Sequence, residues 1–205
     1  MSNNNEDGVL AYELNGNCYL NITYHCTLRC GFCPKFNGCW EVRGYDLLIK
    51  REPAIDEILA AVGDSSRYQQ IVFCGLGEPT LRLDLLLAVA DKLKQQGATI
   101  RLNTDGLASL VHGRDVTPEL AGRVDALSIS MNAQNEAIYN RHTRPKVAGA
   151  FQAMLDFAVA VKPYVPEVSM SAINGLDGVD IEACCHIAEQ QIGVEFRQRE
   201  LDVVG

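Results

Sequence analysis

The chain has 205 residues, with 18 Lys and Arg against 26 Asp and Glu, for a formal net charge of −8 at pH 7. That length suits a single domain able to bury a core without staples, and the acidic balance offers no footprint for direct nucleic-acid binding. The opening MSNNNEDG lacks the basic and apolar regions of a secretion signal, and the longest apolar run, LLLAVA, is too short to span a bilayer. The expectation is a cytoplasmic protein with no membrane partner. In such a compartment eight cysteines point to metal or redox chemistry before disulfides.

Residues 1–8 read as a disordered polar tail and residues 9–205 as one core domain. VLAYEL and NCYLNITY flank Asn15-Gly16, a pair suited to a type I′ turn, which predicts an N-terminal β-hairpin whose second strand runs into HCTLRCGFCPK. Pro53 opens a helix with Ile55, Ile58, Leu59 and Val62 at helical spacing. IVFCG is a short buried strand. Leu83, Leu86, Leu87, Ala90 and Leu93 mark a helix that Gly97 stops. TIRLN is a strand, TPELAG a short helix, and ALSIS a strand followed by a helix around Phe151, Met154, Leu155 and Ala158. EVSMSAI and VEFRQRE are strands separated by a helix from Asp180. Six β units alternating with helices predict an α/β fold with a mostly parallel sheet and right-handed crossovers.

A parallel sheet covered on both faces shows unbroken apolar runs, but several of these strands alternate. Asn21 and Thr23 share a face, as do Arg101 and Asn103, Ser128 and Ser130, Ser169 and Ser171, and Glu195, Arg197 and Arg199. Their neighbours Ile22, Ile100, Leu102, Leu127, Ile129, Val168, Met170, Val194 and Phe196 are apolar and suit the helix side. The pattern fits a partial (β/α)6 TIM-like barrel with a polar interior. An antiparallel sheet with one wet face is the alternative that the intervening helices disfavour.

Cys26, Cys30 and Cys33 fall within eight positions of one Gly- and Pro-containing loop. Three buried reduced cysteines without metal would be a poor use of such a loop. Cys39 could complete a four-cysteine zinc site, although structural zinc usually draws on two separated pairs. Three thiolates without a clear fourth better suit an iron–sulfur cubane with one iron left open to a ligand that is not protein.

The spacing Cys-x3-Cys-x-Phe-Cys resembles the signature of the radical S-adenosylmethionine (SAM) superfamily. The resemblance implies a [4Fe–4S] cluster on Cys26, Cys30 and Cys33, with SAM chelating the open iron and Phe32 packing near the adenine. GLGEP, Gly75–Pro79, is similar to the family's Gly-Gly-Glu-Pro segment, so Leu76, Gly77, Glu78 and Pro79 are implied to receive the SAM ammonium, with Leu76 in place of a glycine. NTDG places Asn103 and Asp105 at a strand end, SISMNA offers Ser130 and Asn132 to the SAM carboxylate or ribose, and Ile173 is implied to contact adenine. The layout as a whole looks like the TatD-associated radical SAM proteins, which implies a functional link to a TatD-type hydrolase.

The activity implied is reductive cleavage of SAM to a 5′-deoxyadenosyl radical that abstracts hydrogen from a substrate, with flavodoxin or ferredoxin as electron donor. A glycyl-radical activase, a zinc-stabilised binding module and a scaffold subunit are the alternatives. Arg197 and Arg199 on the inner face, and His142 and Arg144 in RHTRPK, are expected to suit an anionic small-molecule or nucleotide-like substrate. Cys184 and Cys185 sit at helical spacing with Ile181 and Ala188 and read as core, as do Cys18 and Cys74 in their strands. No cysteine-rich extension follows the last strand to hold an auxiliary cluster. His25 and His112 read as local hydrogen-bonding residues, and Trp40 as part of a cover over the cluster.

Overall fold

The computed structural model describes residues 8–201. Residues 1–7 of the expected polar tail lie outside them, and Gly8 is already buried, at φ +73, against the backbone of Leu48. The chain opens with the expected hairpin, β1 (Ala11–Leu14) and β2 (Asn17–Leu20), paired antiparallel with Leu14 opposite Asn17. Asn15 and Gly16 supply the two positive φ angles, 52 and 76, that such a turn requires. A second, two-stranded hairpin, β3 (Glu41–Val42) and β4 (Tyr45–Asp46), follows the cysteine loop.

The alternation then runs as expected: α1 (Ile55–Val62), β5 (Ile71–Phe73), α2 (Leu83–Gln95), β6 (Ile100–Thr104), α3 (Ala108–His112), β7 (Ala126–Ser130), α4 (Glu136–Thr143), α5 (Ala150–Val161), β8 (Glu167–Asn174), α6 (Ile181–His186) and β9 (Glu195–Glu200). The main sheet has seven strands in the order β1-β2-β5-β6-β7-β8-β9, and every pair after β1–β2 is parallel. Six parallel strands with helical crossovers and open edges make the partial barrel that the alternation predicted.

Register explains the two faces. Side chains paired across parallel strands point the same way. Leu20, Phe73, Leu102 and Leu127 fall in successive registers, Ile129 pairs with Met170 two residues further on, and all six are buried towards the helices. Each such side chain stabilises the fold by roughly 1.5–3 kcal/mol. The opposite row, Asn103, Ser128 and Ser169 with Glu195, faces the interior.

Local details depart from the sequence reading. α1 starts at Ile55, not Pro53, because the Glu57 carboxylate accepts the Ala54 N–H at 2.8 Å and fixes the first turn there. α3 and α4 were not foreseen; their short apolar spacing gave no clear period. α4 absorbs Arg141 and His142 into a helix, so RHTRPK is a helix end and not a free loop. The helix from Asp180 widens to a π-helical segment at Ile187–Ile192 before Gly193 ends it at φ +78.

Candidate functional site

The cysteine loop leaves β2 through three residues that are not strand. Asn21 donates its amide to the carbonyls of Val9 and Leu47, at 3.1 and 2.9 Å. Thr23 donates to Glu52 at 2.7 Å. These polar side chains therefore anchor the chain, and neither lines the cavity around the cysteines. Cys26, Cys30 and Cys33 then line a single cavity of about 380 Å³, within the size range of small-molecule sites. A 3₁₀ turn, Pro34–Asn37, closes the loop, and Gly38 ends it in the left-handed conformation.

Burial pushes all three thiols upward: Cys26 to about 12, with the charges of Asp105 and Glu78 adding to it, and Cys30 and Cys33 in the same direction. For Cys30 the two other sulfurs follow burial among the causes. Without metal these are protonated thiols, and an iron centre must draw off their protons.

The GLGEP segment follows β5. Gly77 is obligatory because a Cβ there would sit 2.2 Å from the Thr23 carbonyl oxygen and 2.7 Å from that of His25. What approaches the glycine is the root of the cysteine loop itself. Leu76 closes a small apolar cluster with Tyr12, Val42 and Leu47, against which Cys33 and Trp40 pack. The leucine that stands in place of a glycine thus builds the cavity wall, and the Trp40 segment lies beside the cysteines.

Glu78 is buried, and its Oε1 accepts from the Thr80 N–H, the Thr80 hydroxyl and the Thr104 hydroxyl at 3.0, 2.7 and 2.8 Å. Its Oε2 accepts the Asp105 N–H at 2.8 Å, and the Asp105 side chain is also within hydrogen-bond reach of the Glu78 carboxyl. Asp105 in turn accepts from the Thr27 hydroxyl and, at 3.0 Å, from the Leu107 N–H. Burial raises both carboxyls, and for Asp105 the Glu78 charge is the next cause. This chain of bonds ties the cysteine loop, the β5 end and the β6 end together. Pro79 starts the 3₁₀ turn behind Glu78, and His112 bonds the Thr80 carbonyl at 2.8 Å, the local role expected for it.

Asn103, Ser130, Asn132, Ile173 and Phe32 line the same cavity as the cysteines and Glu78. Asn132 holds a left-handed φ of 55, its N–H donating to Ser171 and its Oδ1 accepting from Arg199 at 2.7 Å. Arg199 lines the cavity mouth; Arg197, two residues earlier on the same face, is absent from the lining. His142 and Arg144 stand on the outer side of the cysteine loop. His142 bonds the Asp177 carbonyl at 2.8 Å, and the Arg144 guanidinium packs over Gly31.

The sequence reading missed Cys74 and Tyr12 as lining residues, while Ser128 and Ser171, placed on the inward face by their alternation, do line the cavity. Cys74 was read as strand core, yet it continues the inward side set by Val72, opposite the buried Ile71 and Phe73; strict alternation would have found it. Cys18 and Cys184 are buried in the main core. Cys185 is half-buried and, like Cys18 and Cys184, lines no part of the cavity.

Cys39 is exposed, with its thiol directed to the Glu41 carbonyl at 3.5 Å. Among the described residues no three His, Cys, Asp or Glu converge as a single metal ion requires, which counts against the zinc reading. A cubane spreads its thiolates over separate irons and needs no such convergence. Three thiols lining one cavity fit that group.

The family model described as "Radical SAM superfamily" matches residues 20–190. A probable dual-specificity RNA methyltransferase RlmN from a Synechococcus strain is 30% identical over 125 residues, covering 57% of this chain and 34% of its own length. The chain thus spans about a third of that curated relative. Among solved structures, TYW1 with a lysine-pyruvate adduct superposes with a TM-score of 0.63 at 15% identity, covering 92% of this chain and 66% of that one. Streptococcus suis SuiB bound to S-adenosylmethionine gives 0.62 at 12% identity, covering 91% and 40%. These structural likenesses speak for the fold.

Proposed function

The chain belongs to the radical SAM superfamily, an enzyme family that uses a [4Fe–4S] cluster and SAM, and from that premise we propose that Cys26, Cys30 and Cys33 hold the cluster while SAM lies in the adjoining cavity. When bound, the pair supplies one-electron cleavage of SAM and a 5′-deoxyadenosyl radical for hydrogen abstraction. The observation that carries the reading is the shared lining: the three thiols, Gly75, Leu76, Gly77 and Glu78, Asn103, Ser130, Asn132, Ile173 and Arg199 all face one space.

In this reading the thiols give up their protons on iron binding. Glu78 and the backbone carbonyls of the glycine segment accept the SAM ammonium. Asn103, Ser130 and Asn132 orient its carboxylate and ribose, while Phe32 and Ile173 provide apolar contact for adenine. Tyr12, Val42, Leu47 and Leu76 keep water from that side. Arg199, with Arg197 below it, favours an anionic small-molecule or nucleotide-like substrate. An electron donor such as flavodoxin or ferredoxin, and a functional link to a TatD-type hydrolase, complete the proposal. Among the described residues no helix is long and apolar enough to cross a membrane.

Anaerobic reconstitution with iron and sulfide tests it. The expected result is a brown protein that, given dithionite and SAM, releases 5′-deoxyadenosine. A colourless protein holding one zinc per chain, or a cluster that leaves SAM intact, overturns the reading.

A further inference from the structure

Four sulfurs line the cavity of the cysteine loop, and the cluster reading uses three of them. The fourth is Cys74. It follows β5 directly, its N–H donating to the Leu20 carbonyl at 3.1 Å, and the register that pairs Phe73 with Leu102 sets it beside Asn103. Asn103 pairs in turn with Ser128, so Cys74, Asn103 and Ser128 form one inward rung at the floor of the cavity. Ser130 and Ser171 pair on the next rung towards the mouth, and Arg199 stands a rung above them, paired with Ile173.

This end of the cavity holds polar groups with nothing to bond. Among the described residues the hydroxyls of Ser128, Ser130 and Ser171 have no partner, although Ser171 is only 3% exposed. Buried polar groups are ordinarily paired, so a polar ligand lying beside Cys74 would complete them. Burial pushes the Cys74 thiol up, and the neighbouring Asn103 side chain and Gly75 N–H only ease that shift. A thiol that keeps its proton is a poor nucleophile and a poor metal ligand, but it presents an S–H bond to the cavity. An S–H bond is weaker than an aliphatic C–H bond, so it surrenders its hydrogen atom readily to a carbon radical.

We propose that Cys74 is a catalytic residue that returns a hydrogen atom to the substrate radical, so that the substrate leaves with as many hydrogens as it brought. The inference rests on the reading that this cavity holds the cluster and SAM. The substrate C–H bond breaks first, its hydrogen passing to the 5′-deoxyadenosyl carbon. The Cys74 S–H bond then breaks, and its hydrogen atom closes the product radical as a new C–H bond. The sulfur radical left behind takes one electron from the low-potential reductant that also serves the cluster, and one proton from solvent, which restores the thiol. The reaction class that follows is a rearrangement, an inversion at carbon or a bond cleavage of a polar substrate. A dehydrogenation, which would lower the hydrogen count, does not fit.

SAM and dithionite alone test this, with the reconstituted full chain in D2O and no added substrate. The adenosyl carbon is then itself the radical that Cys74 meets, and in D2O the thiol carries deuterium. The expected product is 5′-deoxyadenosine with one deuterium at its 5′ carbon, read by mass spectrometry. Cys74→Ala and Cys74→Ser should each lose most of that deuterium, the serine because its O–H bond is too strong to give up a hydrogen atom. Iron content, the paramagnetic resonance spectrum of the reduced cluster and its response to SAM should match the wild type in both variants. Tyr12 is the other lining residue with an O–H bond weak enough to compete, and Tyr12→Phe should keep the deuterium. Unlabelled product from the wild type, or full labelling in the Cys74 variants, overturns the proposal. A changed spectrum of the SAM-free cluster in those variants would make Cys74 a fourth iron ligand and overturns it too. A wild-type chain that releases no 5′-deoxyadenosine fails the cluster reading itself, a result distinct from release without label.

Discussion

The two mouths of the barrel enclose cavities of nearly equal size, about 380 Å³ at the strand C-terminal ends and about 360 Å³ at the N-terminal ends. They differ in how their polar groups are held. The lower cavity is lined by Arg101, Lys162, Glu167, Ser169 and Glu195. There Arg101 reaches Gln70 only at 3.5 Å and its Nε has no partner, while Lys162 bonds the Ile192 carbonyl. In the upper cavity two buried carboxyls are fixed by donors from the cysteine loop, the β5 end and the β6 end. Volume is therefore a poor guide to a site, and the informative difference is preorganisation of buried polar groups.

That contrast can be tested by altering one mouth at a time. The largest effect is expected from Cys26→Ser, Cys30→Ser or Cys33→Ser, each abolishing stable cluster binding and lowering SAM cleavage by about 100-fold or more. Iron content per chain and 5′-deoxyadenosine yield measure it, and retention of both would show the upper mouth is not the site.

Gly77→Ala comes next. Its methyl group meets two backbone carbonyls that no rotamer change can move, so the apo protein should lose about 3 kcal/mol, read by urea denaturation. A loss below about 1 kcal/mol would mean the cysteine loop is not locked to the β5 end.

The carboxyl pair gives a smaller, pH-dependent effect. Glu78 and Asp105 both have raised folded pKa values, so between the ordinary carboxylate range and those values the folded apo state binds more protons than the unfolded one. The stability contributed by the neutral forms is fully present below the unfolded pKa and is lost as pH rises through the folded pKa. Each unit of elevation is worth about 1.4 kcal/mol. Asp105→Asn should flatten this slope, and an unchanged pH profile of urea midpoints would remove the pair as its source. The smallest effect belongs to the lower mouth. Glu195→Gln should leave iron content and SAM cleavage unchanged and shift stability by no more than about 0.5 kcal/mol; a loss of cleavage would erase the distinction between the mouths.

Much of this was legible in the chain before any coordinates. Period-two alternation in TIRLN, ALSIS and EVSMSAI identified the inward face because register propagates one side's chemistry across a parallel sheet. The cysteine spacing and GLGEP marked the upper mouth. The misreadings have a common origin in contacts distant along the chain. Arg144 and His142 looked like substrate ligands because they follow β7 at the functional end, but α4 turns them to the outside of the loop. Asn21 and Thr23 carried the inward pattern yet are used to fasten other segments. Cys74 passed as core because it follows three buried apolar residues, although alternation from Val72 puts it inward.

The sequence by itself determined the order of strands and helices, the polar and apolar sides of each strand, and the three sulfurs, since these follow from local periodicity and spacing. Only the tertiary structure decided that the Glu78 carboxylate would bond the β6 end and that of Asp105 the cysteine loop, and that Gly77 would be pressed by the root of that loop. Those features depend on which distant backbone atoms come within hydrogen-bond or van der Waals reach, and the pairing of neighbouring strands in the sheet sets that distance.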